Sequence, residues 1–150
     1  MITIEQYAGG HETSPDWTPE RQKNAQLLLN VCALLQAEME SDGIVFPNNP
    51  KTGSKVGGQF HGFGGFRPQN CPQGAPHSSH KEGLAVDLYD PHNEIDDYLQ
   101  HDYLECVADG KPQDSMLVRH GVYIEHPDST DTWSHWSIKP PKSGKHIFNP

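Results

Sequence analysis

The chain has 150 residues, and its 11 Lys and Arg against 20 Asp and Glu give a formal net charge of −9 with neutral histidine. This length suits a single domain covering residues 1–150. A duplex nucleic acid partner is excluded, because such partners are bound through clustered Lys and Arg side chains. A membrane partner is also not expected, since no stretch of about 20 apolar residues is present, and we expect a monomer. Ten histidines are present in this acidic chain, and histidine is the commonest metal ligand.

The first ten residues do not follow the order of a signal peptide, which is a basic, then an apolar, then a small-residue segment. The three cysteines are scattered and form no CxxC pair, so they favour a reducing compartment at synthesis. The sequence therefore predicts a protein made in the cytoplasm without a signal peptide.

The first predicted element is a helix from about Pro19 to Ser41. Thr18 suits its N-cap, Pro19 its first position and Gly43 its end. Apolar residues recur at helical spacing and predict one buried face, formed by Ala25, Leu28, Leu29, Cys32, Leu35 and Met39.

After this helix, residues 47–82 are rich in Pro, Gly, Asn, Ser and His and have no helical period. Such a long irregular segment is usually functional or disordered. It leads into GLAVDLY at 83–89, which predicts a short buried strand. A second helix is predicted from about Glu94 to Ala108, with Asn93 as its cap and Gly110 at its end. Its inward residues are Ile95, Tyr98, Leu99 and Cys106.

Two further strands are predicted near the C-terminus, one in VYIE at 122–125 and one at 133–138, joined by a polar turn at 126–132. A turn-rich tail then ends in the apolar pair Ile147–Phe148. These elements predict the α+β class, as one domain with a small antiparallel sheet, flanking helices and long loops.

Asp87 is anomalous, because it is a carboxylate inside an otherwise apolar strand. Buried without a partner it would cost several kcal/mol. His80 lies where the loop enters this strand and can fold back toward it. With a further histidine they would make three protein ligands, the number typical of a catalytic zinc site. The alternative is that Asp87 pairs with Arg67 or Lys81 and that His80 lies on the surface.

His135 is the candidate for the third ligand, since it lies between two tryptophans in WSHWS. If the two last strands pair symmetrically about their turn, Glu125 lies opposite Trp133 and Tyr123 opposite His135. Alternation then places all four on one face, where Glu125 could act as general base near a metal ion. The alternative is a Glu125 paired with a lysine and a His135 packed in the core.

The segment GGFRP at 64–68 places Arg67 on a glycine-flanked turn, with Asn70 shortly after it. A guanidinium presented in this way can bind a carboxylate through two hydrogen bonds. The alternative is a structural arginine that binds loop carbonyls or Asp87.

Taken together, the motifs GFRPxN, SxHxxGxAVDL and WxH resemble the zinc peptidases of the D-alanyl-D-alanine carboxypeptidase and L,D-endopeptidase group, the M15 peptidases, which include phage endolysins. The middle motif is the most specific, with Ser78, His80, Gly83, Ala85 and Asp87 in register. MITIEQY at the start, YIEHP at 123–127 and the closing PPxSGxxxFxP also look like small phage or prophage proteins of this type, so the resemblance covers nearly the whole chain.

The resemblance implies a fold like that of hedgehog and the D,D-peptidases, with a zinc ion held by His80, Asp87 and His135. It further implies that Arg67 binds the substrate carboxylate, and that Asn70 and Ser78 also serve substrate binding. Many members carry the catalytic acid three residues before the last histidine, where this chain has Thr132. The general base is therefore expected to be Glu125 or Asp131.

The function expected from this resemblance is hydrolysis of a peptide bond in the peptidoglycan stem peptide, of the D,D-carboxypeptidase or L,D-endopeptidase type. Such an enzyme would act at the cell wall after release by phage lysis, or carried on a virion. The alternative is a non-catalytic peptidoglycan-binding or virion structural module on the same fold.

Overall fold

The computed structural model describes residues 2–46, 55–56, 59–60, 64–72, 76–130 and 132–150. The helices are α1 (Ile4–Ala8), α2 (Pro19–Ser41), α3 (Glu94–Ala108) and α4 (Met116–His120). The strands are β1 (Lys55–Val56), β2 (Gln59–Phe60), β3 (Ala85–Tyr89), β4 (Tyr123–Glu125), β5 (Trp133–Ser137) and β6 (Ile147–Phe148). Short 3-10 turns span Ser79–Glu82, Pro112–Asp114 and Pro127–Ser129. No helix in these described ranges is both long and apolar enough to cross a membrane.

The helix α2 begins and ends where the sequence predicts. The Thr18 side chain accepts a hydrogen bond from the Arg21 backbone amide, and Pro19 occupies the first helical position. The residues buried on its inner face are those of the predicted apolar stripe, Ala25, Leu28, Leu29, Cys32, Leu35 and Met39. This confirms the prediction, because the local end signals and the burial pattern agree along the whole helix.

The helix α3 has the predicted bounds, but its cap differs from the prediction. Asn93 is in the left-handed region with φ of 57° and its side chain makes no capping hydrogen bond. The carboxylate of Asp90 instead accepts hydrogen bonds from the backbone amides of Ile95 and Asp96. The predicted cap was wrong because Asp90 reaches the same free amides from three residues further back.

The inward face of α3 is narrower than predicted. Ile95 and Leu99 are fully buried, whereas Tyr98 and Cys106 are only partly so. The hydroxyl of Tyr98 donates a hydrogen bond to the Asp42 carboxylate, which holds the ring at the edge of the core.

The main sheet has four strands in the order β3-β5-β4-β6. β3 pairs antiparallel with β5, and so does β4, as predicted. β6 adds to the outer edge of β4 in parallel, with Ile124 opposite Ile147 and Glu125 opposite Phe148. The α+β class is confirmed, but the sheet is mixed, because the predicted apolar end of the tail forms this edge strand.

The pairing of β4 with β5 is shifted by two residues from the predicted one. Tyr123 lies opposite Ser137 instead of His135, and Ile124 lies opposite Trp136. The predicted register was wrong because the connection is not a symmetric turn: it contains the 3-10 turn Pro127–Ser129 and a left-handed Thr132 with φ of 99°. Since side chains alternate, a shift of two keeps each one on its predicted face.

One face of this sheet packs into the hydrophobic core. Val86, Ile124 and Trp136 come from three adjacent strands and are fully buried against the helices. Alternation directs Asp87 on β3 and His135 on β5 to the opposite face. Packing in the core therefore holds β3 and β5 in place, while Asp87 and His135 on these strands lie outside the core.

Candidate metal centre

Asp87 and His135 lie directly opposite each other on β3 and β5. His135 Nδ1 is 2.8 Å from Asp87 Oδ1, and both side chains are buried. Antiparallel pairing brings such residues side by side from positions 48 residues apart in the chain. The predicted meeting of these two residues thus arises from the sheet.

His80 reaches the same carboxylate oxygen from the 3-10 turn that precedes β3. Gly83 ends this turn in the left-handed region, with φ of 77°, and allows the chain to turn into the strand. His80 Nε2 is 3.1 Å from Asp87 Oδ1, and His80 Nδ1 is 2.9 Å from the Gly65 carbonyl oxygen. A carbonyl only accepts, so Nδ1 carries the proton and donates it there.

This hydrogen bond has a direct consequence for the atoms that face each other. In a neutral His80 with its proton on Nδ1, Nε2 is an acceptor, and so is Asp87 Oδ1. Two buried acceptors about 3 Å apart require a cation between them, either a proton or a metal ion. Burial lowers the pKa of His80, and the attraction of Asp87 only partly offsets this, so the position between the two atoms is one that a metal ion could occupy.

The pKa values of Asp87 and His135 are shifted by their contact with each other. Burial alone would raise the pKa of Asp87, but the imidazoles of His80 and His135 hold the pKa of this carboxyl well below its usual range. Burial alone would lower the pKa of His135, yet its hydrogen bond to Asp87 and the charge of that residue raise it overall. Asp87 is therefore held in its ionised form facing two imidazole nitrogens, and a metal ion bound there would have to displace the proton that the raised pKa favours on His135.

Arg67 occupies the second oxygen of this carboxylate. A guanidinium nitrogen of Arg67 donates to Asp87 Oδ2 at 2.7 Å, and the arginine side chain is 12% exposed. Asp87 therefore presents only Oδ1 to the histidines. The sequence offered this ion pair with Asp87 as the alternative to substrate binding by Arg67. A role of Arg67 in substrate binding stays a prediction.

The three residues together could hold a metal ion. Each offers one ligand atom, and these atoms lie within 4.8 Å of one another, in the part of the chain that the structure describes. Ligand atoms around a four-coordinate ion at about 2.0–2.1 Å are roughly 3.3 Å apart. The distances from Asp87 Oδ1 to the two imidazole nitrogens, 2.8 and 3.1 Å, are close to this value.

Glu125 is the predicted base that lies beside this cluster. Continuing the observed register by one residue brings Glu125 opposite His135, and its side chain is half-buried. Burial raises the pKa of Glu125, against the attraction of His135. The alternative base, Asp131, lies outside the described residues.

The other predicted substrate-binding residues are placed less closely. Ser78 precedes the turn that carries His80 and is partly buried, and Asn70 is exposed in a turn after Arg67. Neither side chain hydrogen-bonds to the three candidate ligands within the described ranges. Their role in binding a substrate therefore stays a prediction.

The backbone groups that support the cluster were not predicted from the sequence. The Gly65 carbonyl orients His80, and the Gly64 carbonyl accepts from the Asp87 amide at 2.7 Å. A Cβ on Gly65 would lie 2.1 Å from the Tyr7 carbonyl oxygen, so this close approach requires glycine. The Tyr7 hydroxyl in turn donates to the Ala85 carbonyl at 2.9 Å. The adjacent glycines before Arg67 were the signal that could have indicated this contact.

No protein-family model matches this chain, and comparison with curated proteins and with solved structures also gives no match.

Proposed function

We propose that the chain is a zinc-dependent peptidase that hydrolyses a peptide bond in the peptidoglycan stem peptide. The observation that carries this proposal is the buried cluster of His80, Asp87 and His135 with the half-buried Glu125 next to it. Three protein ligands and a nearby carboxylate are the parts that metal-assisted hydrolysis requires.

The donor set supports zinc as the ion. Two imidazole nitrogens and one carboxylate oxygen suit Zn²⁺, which binds both ligand types in four-coordinate sites. The hydrogen bond from His80 to the Gly65 carbonyl and the ion pair of Asp87 with Arg67 are the outer contacts that orient such ligands. When bound, zinc lowers the pKa of a water molecule and polarises the scissile carbonyl.

The protein's own contribution to the reaction is a base and a fixed geometry. Glu125 accepts the proton of the attacking water and passes it to the leaving amine, which is the role of a general base that then acts as an acid. Its raised pKa favours this exchange, because a carboxylate works best as a base when its pKa approaches the working pH. Extending the register of β4 and β5 by one residue places this base opposite His135, which is one of the three candidate ligands.

The substrate class rests on the sequence motifs and not on the cluster alone. The resemblance of SxHxxGxAVDL and its companion motifs to enzymes of the peptidoglycan stem peptide supports a wall peptide as the substrate. Such a protein would act at the cell wall, after phage lysis or carried on a virion.

Digestion of purified peptidoglycan tests the proposal. The metal content is measured first by elemental analysis, and the release of amino groups is then followed with zinc-loaded, chelator-treated and zinc-restored protein. We expect release that the chelator abolishes and zinc restores. His80→Ala should be inactive, whereas the control His92→Ala, at an exposed histidine before α3, should keep full activity.

Two outcomes would contradict the proposal in different ways. Zinc binding without release, together with retention of the protein on peptidoglycan in a pull-down, would favour the non-catalytic binding or virion module. If the protein purified with added zinc contains no bound zinc, the proposed metal centre itself is contradicted.

A further inference from the structure

A second feature lies beside the metal centre, on the side of β6. The turn after β4 and the C-terminal segment line an open cavity of about 360 Å³, in which Ser143, Lys145 and Asn149 are exposed. Its wall is formed by His126, Ser143, Lys145, Ile147, Phe148 and Asn149. This volume is at the lower end of the range for small-ligand pockets, which is about 300–1,000 Å³.

Phe148 joins this cavity to the metal centre. It lines the cavity, and its ring stands edge-on to the ring of His135, with centroids 6.4 Å apart and an interplanar angle of 84°. The parallel pairing of β6 with β4 also places Phe148 opposite Glu125. Phe148 therefore contacts both the cavity and one of the candidate ligands.

The chemistry of the wall favours an anion. Lys145 supplies a positive charge, and Ser143 and Asn149 supply further hydrogen-bond donors. Among the described residues no Asp or Glu lines this wall, and the nearby Asp128 carboxylate lies 3.5 Å from His126 Nδ1. Lys145 makes no ion pair with any residue that the structure describes, so its ammonium is available to a ligand.

The frame of the cavity is held by backbone and side-chain contacts. The His126 amide donates to the Phe148 carbonyl at 2.7 Å, and the Ile124 amide donates to the His146 carbonyl at 2.8 Å. The His126 ring is hydrogen-bonded to the Gln100 side chain of α3. The wall is thus anchored to both the sheet and a helix, which is what a preformed subsite requires.

We propose that this cavity is a subsite for a carboxylate-bearing residue of the peptide substrate, with Lys145 as the partner of the carboxylate and Phe148 as the wall shared with the metal centre. This inference rests on the proposed peptidase function and extends it to the choice of substrate. The carboxylate comes either from an internal glutamyl residue or from the C-terminus of the peptide, and the experiment distinguishes the two.

The test uses four synthetic stem peptides of the same sequence. One has both carboxylates free, one is amidated at the glutamyl carboxylate, one at the C-terminus and one at both. Binding is measured by calorimetry to zinc-loaded Glu125→Gln protein, and hydrolysis is measured with wild-type protein. We expect amidation of one of the two groups to weaken binding about fivefold, which is the scale of a partly exposed ion pair.

Lys145→Ala should bind the free and amidated peptides equally, whereas the control Lys142→Ala should keep the wild-type difference. Lys142 is exposed in the same segment but does not line the cavity. The subsite is overturned if the doubly amidated peptide binds as tightly as the free one, or if the two lysine variants behave alike.

The two proposals can fail separately in this experiment. If no peptide is hydrolysed but the binding difference depends on Lys145, the peptidase function fails and the subsite stands. If all four peptides are hydrolysed with equal kcat/KM and bound equally, the peptidase stands and the subsite fails.

Discussion

At the scale of single residues, the candidate metal centre depends on which atoms carry protons. The Gly65 carbonyl takes the Nδ1 proton of His80, and this leaves Nε2 as an acceptor that faces the Asp87 carboxylate. Arg67 takes the other carboxylate oxygen. His80 and Asp87 therefore each have one contact that orients the side chain and one atom directed at the shared position.

The first prediction concerns the stoichiometry of the metal. His80→Ala should reduce bound zinc from about one ion per chain to nearly none, because two remaining ligands hold the ion too weakly. The loss should also lower the melting temperature in the presence of zinc, since binding to the native state adds to its stability. Elemental analysis and thermal unfolding with and without zinc measure both effects.

The exposed histidine variant His92→Ala provides the control for this prediction and should retain the ion. Full zinc occupancy in the His80→Ala protein would show that the ion lies elsewhere.

Arg67 is the subject of the second prediction. Because its guanidinium holds Asp87 Oδ2, Arg67→Ala should weaken zinc affinity by about 10–100-fold, which is typical for the loss of an outer contact of a metal ligand. Arg67→Lys keeps the charge but loses the planar fork, so a smaller loss is expected. Competition with a chelator of known affinity measures both values.

A different outcome would return Arg67 to the role that the resemblance implies. If zinc affinity stays unchanged in both variants while the KM for carboxylate-bearing peptides rises, the arginine binds the substrate and does not orient the ligand.

The third prediction assigns the base. Glu125→Gln should keep its zinc and its fold but lose about 10²–10⁴-fold in hydrolysis rate, the usual contribution of a general base. Asp131→Asn should lose little activity. Zinc content, circular dichroism and peptide hydrolysis are measured side by side for both variants, and the reverse pattern would transfer the role to Asp131.

At the scale of elements, two residues have different roles at the start of α3. Asp90 lies outside the helix, and its carboxylate accepts the amide hydrogens of Ile95 and Asp96, whereas Asn93 only provides the left-handed turn. The residue directly before a helix is thus a weaker indicator of its cap than a nearby carboxylate that can reach the free backbone amides.

The fourth prediction tests this assignment. Asp90→Ala should lower the free energy of unfolding by about 1–2 kcal/mol, because two buried amides lose their acceptor. Asn93→Gly keeps the positive φ and should change stability by only a few tenths of a kcal/mol. Urea unfolding of the two variants decides the question, and a larger loss for Asn93→Gly would count against Asp90 as the cap.

The bounds of an element could be predicted where the chain segment itself carries the end signals and the apolar pattern. Thr18, Pro19 and a continuous apolar stripe define α2 within the chain segment itself, and so its bounds and its buried face were predicted correctly. The register of β4 with β5 was not predictable in this way. It depends on the 3-10 turn at Pro127–Ser129 and on the backbone of Thr132, which have no clear pattern in the sequence.

At the scale of the whole molecule, Asp96 connects α3 to the region around β5. This residue is fully buried, and its carboxylate accepts hydrogen bonds from the hydroxyls of Thr130 and Ser134. Ser134 in turn accepts from the Trp136 indole at 2.8 Å. Burial raises the pKa of Asp96 to about 6, from an ordinary value of 3.8.

The fifth prediction follows from this shift. A carboxyl whose pKa is raised on folding stabilises the folded state most fully below its unfolded pKa, and this stabilisation is lost as the pH rises through the folded pKa. As the pH increases from about 4 to 6, ionisation of Asp96 should therefore lower the free energy of unfolding by up to about 3 kcal/mol.

The variant Asp96→Asn should lack this slope, since an amide does not titrate. The free energy of unfolding is measured in urea at pH 4 and pH 7 for both proteins, and the difference between them removes the contribution of all other carboxyls. Parallel pH profiles would show that Asp96 titrates normally in the folded protein.

The sequence by itself determined the α+β class, the bounds of α2 and α3, and the identity of the three clustered residues. The class and the bounds depend on local periodicity and end signals, whereas the three residues were singled out by an isolated carboxylate in an apolar strand together with the motif resemblance. Only the tertiary structure decided which atoms meet: the shared Oδ1 of Asp87, the Gly65 carbonyl behind His80, the ion pair with Arg67 and the place of Phe148 between cavity and cluster. Such contacts join residues far apart in the chain, and their geometry is set by strand register and close backbone approach, which residue types alone do not specify.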